Sequence, residues 1–367
     1  MKIILTGGGT AGHVYPALAM AEAIAEKYPD AEFVFIGRDG GEENKAVSLA
    51  GYRAYTLDVV GISRRLTLQN LGALRKALRA VGRAKAIIRN ETPDMVIGTG
   101  GYVCWPVLRA ATAANIPSLI HESNAYPGLV TRLLAKRCDA VLLGFGQAEE
   151  YLKGARRVYT VGNPVRAAFG VTDKAEARRA LGIPQNELFI LSYGGSLGAE
   201  RINDAVLGWM NYAREHRYRL THVHATGRRY FDEASRRLSS AGSRPSLRIL
   251  PYIDNMPLWL SAADLAITRS GAMTVAELCA AKVPSILIPS PNVTDDHQRK
   301  NALEVQRGGK AILLPESELS AESLTALLTS VYKDRSALSG MRSAFGGEAV
   351  TDAREAFMRV FREFYAF

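Results

Sequence analysis

Lys2-Ile3-Ile4-Leu5-Thr6-Gly7-Gly8-Gly9-Thr10-Ala11-Gly12-His13 opens the chain. Past the middle, Leu188-Phe189-Ile190-Leu191-Ser192-Tyr193-Gly194-Gly195-Ser196-Leu197-Gly198-Ala199-Glu200 repeats its design. In each, an apolar run of strand length ends in glycines and passes into a helix-like stretch. Such a turn aims backbone N–H groups and the positive end of a helix at an anion. One loop of this kind is a weak signal. Two, each opening its own half, predict two nucleotide-type folds facing each other across a cleft.

Working outward, short Val/Ile/Leu-rich segments recur between helical stretches at 33–36, 95–97, 118–120 and 140–143, then at 222–225, 265–268, 285–288 and 311–314. Continuous apolar strands alternating with helices mean parallel sheet covered on both faces, so the predicted fold class is α/β. Gly162-Asn163-Pro164-Val165 follows a strand-like run at 158–161 and interrupts the pattern, because proline disfavours helix at Asn163. The predicted domains are 1–163 and 164–345, with 346–367 a C-terminal helix packing back on the first. Ligands in open α/β sheets sit beyond the carboxyl ends of the strands, where nearly every polar cluster of this chain falls.

The length of 367 residues suits two domains of about 150 to 200 residues. With 47% apolar and 22% charged residues, each half can bury a core, which excludes a disordered chain. Cys104, Cys138 and Cys279 are far apart and odd in number, so neither a disulfide framework nor a clustered zinc site is expected, and a reducing, cytoplasmic setting is. Ile3, Ile4 and Leu5 are too few for the apolar core of a signal peptide. No run approaches the roughly 18 apolar residues of a spanning helix, so the chain is not expected to cross a membrane. The net charge of +10 suits a polyanion or an anionic membrane surface, and only its distribution can choose between them.

That distribution is uneven. The stretch 61–90 holds Arg64, Arg65, Arg75, Lys76, Arg79, Arg83, Lys85 and Arg89 without one Asp or Glu, and Leu71, Leu74, Leu78 and Val81 follow helical spacing. A basic amphipathic surface suits anionic lipid headgroups. The alternative is a solvated helix face whose leucines pack on the sheet. Nucleic acid is not expected, since no binding motif accompanies the charge and no aromatics alternate with it.

Gly7, Gly9 and Gly12 have G-x-G-x-x-G spacing and Asp39 follows the second strand-like run, which keeps an NAD enzyme open. The second glycine loop and His13 favour a nucleotide diphosphate sugar with an acceptor. Arg269-Ser270-Gly271-Ala272-Met273-Thr274-Val275-Ala276-Glu277 reads as a helix start, with Ser270 a candidate cap. Its N–H groups and dipole would stabilise a departing diphosphate. Glu277 either accepts both hydroxyls of a ribose or merely complements the dipole. In the polar loop 290–301, Gln298 is the leading reader of sugar hydroxyls. The chain contains no D-x-D triplet, so a metal-free, cofactor-free site is expected, with dipoles and Arg166 balancing charge. In His121-Glu122-Ser123-Asn124, Asn124 suits hydroxyl reading and His121 the organising of the site. His13, at a loop tip, is the expected general base, with Glu122 in reserve.

Together these stretches resemble the MurG family of bacterial glycosyltransferases over nearly the whole chain. The resemblance is carried by residues 7–19, Gly-Gly-Tyr-Val at 100–103, His-Glu-Ser-Asn at 121–124, Gly-Asn-Pro-Val-Arg at 162–166, Gly-Gly-Ser-Leu-Gly-Ala at 194–199, Tyr-Ile-Asp-Asn-Met at 252–256 and residues 269–277. It implies the GT-B architecture: two Rossmann-like, doubly wound domains facing a central cleft. It implies inverting transfer of N-acetylglucosamine from UDP-N-acetylglucosamine to the 4-hydroxyl of the muramyl unit of lipid I, giving lipid II for peptidoglycan. By position, Thr10, Ala11, Gly12, Asn124, Arg166, Ser196, Ile253, Ala272, Met273, Thr274, Val275, Ala276, Glu277 and Gln298 would contact the donor, with Ile253 at uracil and Glu277 at ribose. Ala11, Leu197 and His297 depart from residues common in the family, which touches the donor contacts and not the loop geometry. A polyprenyl acceptor also gives Arg64, Arg65, Arg75, Lys76, Arg79 and Arg83 a role, docking on anionic inner-leaflet phospholipids at the cytoplasmic face of the inner membrane. Other cell-wall synthesis and division proteins are implied partners. Glycosyltransferases for diacylglycerol and nucleotide-sugar epimerases share the architecture and stand as alternatives.

Overall fold

A computed structural model of the chain describes residues 1–9, 11–41, 43–61, 69–195, 197–239, 242, 244–346 and 352–365. Thr10, Arg64, Arg65 and Ser196 lie outside these residues. The chain divides into two compact units, one of residues 1–166 joined by the C-terminal helix and the other of the residues between.

The first unit carries strands β1 (Lys2–Thr6), β2 (Glu32–Arg38), β3 (Arg53–Leu57), β4 (Met95–Gly98), β5 (Ser118–Glu122), β6 (Ala140–Leu143) and β7 (Val158–Thr160). They form one sheet in the order β3-β2-β1-β4-β5-β6-β7, and each pairing is parallel. Helices α1 (Ala11–Lys27), α2 (Glu43–Leu49), α3 (Gln69–Glu91), α4 (Cys104–Ala113) and α5 (Leu129–Leu134) connect them. Because side chains alternate across a strand, Ile4, Val96 and Ile120 pack on one face with α3, α4 and α5, whereas Ile3, Leu5 and Ile97 pack on the other with α1. This is a doubly wound sheet, buried on both sides.

The second unit carries β8 (Leu188–Tyr193), β9 (Leu220–Ala225), β10 (Leu247–Leu250), β11 (Leu265–Thr268), β12 (Ser285–Leu287) and β13 (Ala311–Leu313), parallel and ordered β10-β9-β8-β11-β12-β13. Its helices are α6 (Lys174–Leu181), α7 (Glu200–Glu215), α8 (Phe231–Ser239), α9 (Met256–Ala262), α10 (Ala272–Ala280), α11 (His297–Arg307), α12 (Ala321–Lys333) and α13 (Ser336–Ser343). Trp209 of α7 and Leu324 and Leu328 of α12 are fully buried against this sheet.

Helix α14 (Ala353–Tyr365) returns to the first unit. Phe357 and Phe361 are fully buried among Val14, Met20 and Ile24 of α1. Arg354 pairs with Glu22 at 3.6 Å and Glu26 at 2.6 Å, and Tyr159 donates to Glu363 at 2.7 Å.

Candidate active site

In the first unit the strand order reverses between β1 and β4, the place where a doubly wound sheet opens a ligand crevice. Both strands run out into glycines there, and the two loops interlock. Gly8 N–H reaches the Gly100 carbonyl at 3.4 Å, and the buried Thr99 hydroxyl lies within bonding distance of the carbonyls of Thr6 and His13. Cys104 is sealed beneath them, its Sγ 3.0 Å from the carbonyls of Thr6 and Gly100, and burial pushes its thiol up to about 12.

His13 occupies the first turn of α1, and its Nδ1 lies 3.1 Å from the Thr99 carbonyl. A carbonyl only accepts, so Nδ1 carries the proton and the lone pair of the neutral ring falls on Nε2. A Cβ at position 100 would stand 2.6 Å from Nδ1 and 2.9 Å from Cε1, so only glycine leaves the ring its seat.

Glu122, expected in reserve as a base, is otherwise engaged. It is 4% exposed and its carboxylate accepts four hydrogen bonds: Asn124 N–H at 3.0 Å, Asn124 Nδ2 at 3.1 Å, Gly128 N–H at 2.8 Å and the Thr131 hydroxyl at 2.7 Å. It therefore holds the turn after β5 and presents Asn124, which is partly exposed. His121 is fully buried, with Nε2 3.1 Å from the Gly162 carbonyl; burial lowers its pKa to about 4 against the raising effects of that carbonyl and of Glu122. His13 also acts on it electrostatically, so His13, His121 and Glu122 form one neighbourhood. Arg166 is exposed, its guanidinium 5.8 Å above the Tyr15 ring on α1. Ala11 opens that helix and Gly12 follows. Tyr102, unforeseen in sequence, packs against Gly9, where a Cβ would stand 3.3 Å from its ring.

The second unit repeats the plan between β8 and β11. Gly198 has φ +79°, and a Cβ there would lie 1.9 Å from the Thr226 carbonyl, so the loop rests directly on the backbone after β9. Helix α10 starts from Gly271 with no capping side chain. Ser270 is not the cap: it is fully buried one residue earlier, and its hydroxyl donates to the Gln298 carbonyl at 2.9 Å while its own carbonyl accepts from Asn301 at 3.2 Å. The positive end of α10 is thus left without a capping side chain. Ala272, Met273 and Val275 bury their side chains, while Thr274, Ala276 and Glu277 are partly exposed. Burial first, then the Glu277 carboxylate, raises the phenol of Tyr193 far above its ordinary value, which places Glu277 by the carboxyl end of β8.

Gln298 on α11 accepts the Ser290 N–H at 2.9 Å through Oε1, which turns its amide NH₂ the other way. The Ser270 bond joins it to the start of α10. Ile253 is buried after β10, at the sheet edge, three strand spacings or about 14 Å from β11.

The basic stretch is only partly as its spacing predicts. The buried face of α3 is Ala73, Ala80, Ala84, Ile87 and Ile88, and Leu78 is 59% exposed between the exposed Arg75 and Arg79. Leu78 therefore does not mark the core-facing side, because alanines let α3 lie close on α4 and turn it outward. Arg83 is exposed too, whereas Lys76 pairs with Asp58 at 2.9 Å. An open groove of about 500 Å³, lined by Arg109, Leu133, Lys136, Arg137 and Arg156, adds charge beside α4 and α5. These cations are scattered through the sequence, so no local run announced them. None of the helices among the described residues is long and apolar enough to cross a membrane.

Comparison with known proteins agrees with this anatomy. Residues 3–143 match the Glycosyltransferase family 28 N-terminal domain and residues 189–357 the Glycosyltransferase family 28 C-terminal domain. The UDP-N-acetylglucosamine--N-acetylmuramyl-(pentapeptide) pyrophosphoryl-undecaprenol N-acetylglucosamine transferase of Acetivibrio thermocellus is 39% identical, over 99% of this chain and 98% of that one. The crystal structure of Acinetobacter baumannii MurG matches with a TM-score of 0.76 and 27% identity, covering 100% of this chain and 99% of that one. A UDP-GlcNAc 2-epimerase from Neisseria meningitidis shares the fold, at a TM-score of 0.67, 14% identity and coverage of 99% and 100%. Matched along its whole length at this identity, the chain belongs to the MurG family, within glycosyltransferase family 28.

Proposed function

We infer that this protein transfers N-acetylglucosamine from UDP-N-acetylglucosamine to undecaprenyl-pyrophosphoryl-N-acetylmuramyl-pentapeptide, lipid I, yielding lipid II for peptidoglycan. The observation that carries this reading is the 39% identity to a transferase of that name over 99% of the chain. The epimerase alternative has only a likeness of fold, at 14% identity.

The second unit takes the donor: Glu277 accepts the ribose hydroxyls, Gln298 offers its amide to the sugar, the backbone at Ile253 meets uracil, and the N–H groups of Ala272 to Thr274 face the diphosphate, with Ser196 assigned to the donor by its position in the family. The first unit takes the acceptor, and by their position in the family Thr10, Ala11, Gly12, Asn124 and Arg166 are proposed to contact the donor as well. His13 Nε2 removes the proton of the muramyl 4-hydroxyl as that oxygen bonds to the anomeric carbon and the bond to UDP breaks, which inverts the centre. Glu122 acts by positioning Asn124. Charge developing on UDP is stabilised by the α10 dipole. The chain carries no D-x-D triplet to bridge a cation to the diphosphate, and the transfer is proposed to need none.

Arg75, Arg79 and Arg83 around Leu78, with the Arg109–Lys136–Arg137–Arg156 groove, are proposed to dock the first unit on anionic phospholipid at the cytoplasmic face of the inner membrane.

The test is incubation of pure protein with radiolabelled UDP-N-acetylglucosamine and lipid I, diacylglycerol or no acceptor, each with and without chelator. Label entering lipid II in both lipid I arms is expected. Transfer to diacylglycerol alone, epimer formed without acceptor, or activity that needs manganese restored would each overturn the corresponding part.

A further inference from the structure

Beneath the second glycine loop lies a polar chain that the transfer chemistry does not use. Ser192 on β8 pairs in register with His224 on β9, and His222 lies two residues earlier on the same face. All three side chains are fully buried, as is Thr226, and Asn203 in the first turn of α7 is 4% exposed. Ser192 Oγ lies 2.7 Å from His222 Nε2 and 2.8 Å from His224 Nδ1. His224 Nε2 is 3.1 Å from Asn203 Oδ1, and Asn203 Nδ2 donates to the Thr226 carbonyl at 3.1 Å.

The last of these bonds fixes the direction of the one before it. The Thr226 carbonyl can only accept, so Asn203 must turn its NH₂ to it and its oxygen to His224. His224 therefore carries its proton on Nε2; its Nδ1, left with the lone pair in the neutral ring, accepts the nearer Ser192 hydroxyl at 2.8 Å, with the Ser192 carbonyl at 3.2 Å beside it. Ser192 Oγ in turn accepts from His222 Nε2–H. Both rings are neutral in this arrangement, in keeping with burial, which lowers His224 to about 4 and His222 well below its ordinary value. The chain ends at the carbonyl on which Gly198 rests, where a Cβ would lie 1.9 Å away. Gly227, the next residue, abuts Leu197 and Gly198 on the same floor.

We propose that Asn203, oriented by the chain His222–Ser192–His224, is a positioning residue for the donor: it fixes the Thr226 carbonyl and through it the Gly198 turn, so that the loop's N–H groups are pre-set for a nucleoside diphosphate. The inference rests on the reading of the second unit as the donor side. It differs from a role in general stability because it predicts damage to one substrate only, and because the direction of the chain makes its links unequal. His224 must donate to Asn203 for the amide to face the right way. His222 only adds a donor to a serine that already has its acceptor.

The experiment measures UDP affinity by calorimetry, KM for UDP-N-acetylglucosamine and for acceptor, and thermal unfolding, in the full chain. Asn203→Ala and His224→Leu are expected to weaken UDP binding and raise donor KM by roughly five- to tenfold, the loss of one oriented hydrogen bond, with acceptor KM unchanged. His224→Gln, whose amide can donate to Asn203 and accept from Ser192, is expected to restore donor KM to within about twofold of wild type. His222→Phe is expected to change it less than His224→Leu. Folded Asn203→Ala that binds UDP like wild type, or His224→Gln as impaired as His224→Leu, overturns the inference. Wild-type protein that binds no UDP overturns the donor reading itself, a distinct outcome that takes this inference with it.

Discussion

His13 Nδ1 stands 3.1 Å from the Thr99 carbonyl, across a gap that only the missing side chain of residue 100 leaves open. The base is therefore held by the neighbouring strand's loop, and its tautomer is set by main chain. His13→Ala is expected to lower kcat by about 10² to 10⁴ with little change in UDP affinity. Gly100→Ala, which displaces the ring, is expected to lower kcat as well. Steady-state kinetics beside UDP titration checks both, and full kcat in His13→Ala would remove the assignment.

Glu122→Ala strips one acceptor group from four donors, two of them main-chain N–H groups. A loss of about 2–3 kcal/mol in unfolding free energy is expected, accompanied by weaker activity through the displaced Asn124. Urea unfolding measures the first, and His13→Ala, by contrast, is expected to unfold like wild type.

On the donor side, Glu277→Ala and Gln298→Ala are expected to raise KM for UDP-N-acetylglucosamine. Glu277 has the larger effect, roughly ten- to a hundredfold, because its hydrogen bonds to ribose are charge-assisted. Comparing UDP with uridine in a titration separates the ribose contact from those to the diphosphate.

Replacing Arg75, Arg79 and Arg83 together by alanine is expected to weaken binding to phosphatidylglycerol vesicles by roughly a hundredfold, at about 1 kcal/mol per cation. Wild-type binding is expected to fall with added salt. Vesicle co-sedimentation reads both, and unchanged turnover of a water-soluble acceptor distinguishes docking from catalysis.

Acid exposes the buried histidines. Burial lowers His121 and His224 to about 4 in the folded protein against an ordinary 6.5, and holds His222 well below that ordinary value too. The unfolded chain thus binds protons first, so stability is full above pH 6.5 and is lost as the pH falls toward 4, by of order 3 kcal/mol for each of His121 and His224. Urea midpoints followed by tryptophan fluorescence between about pH 7.5 and about 4.5 should trace this decline, shallower in His224→Gln.

Reading the sequence located most strands because central strands of a parallel sheet are apolar throughout. The two it passed over, β3 (Arg53-Ala54-Tyr55-Thr56-Leu57) and β10 (Leu247-Arg248-Ile249-Leu250), are the outer strands beside β2 and β9, where one side needs no apolar cover. The glycine loops, His13 and the 270s helix were legible because each follows a strand end. What a side chain does once there was less so. Spacing left Leu78 open between a lipid-facing side and the core, and alanines supply the core contact; residue type made Glu122 a reserve base and Ser270 a candidate cap, though their partners come from residues up to 31 positions away in sequence. His222-Val223-His224 carried a signal, two polar rings on one face of an otherwise apolar strand, but its meaning depended on Asn203 and Thr226.

The return of α14 orders events during synthesis. Its Phe357 and Phe361 plug the α1 side of the first sheet, so that unit keeps an unfilled apolar trough while all of the second is being made. The second unit, continuous in sequence, is free to mature at once. On the ribosome, the half that was translated first is the half that is finished last.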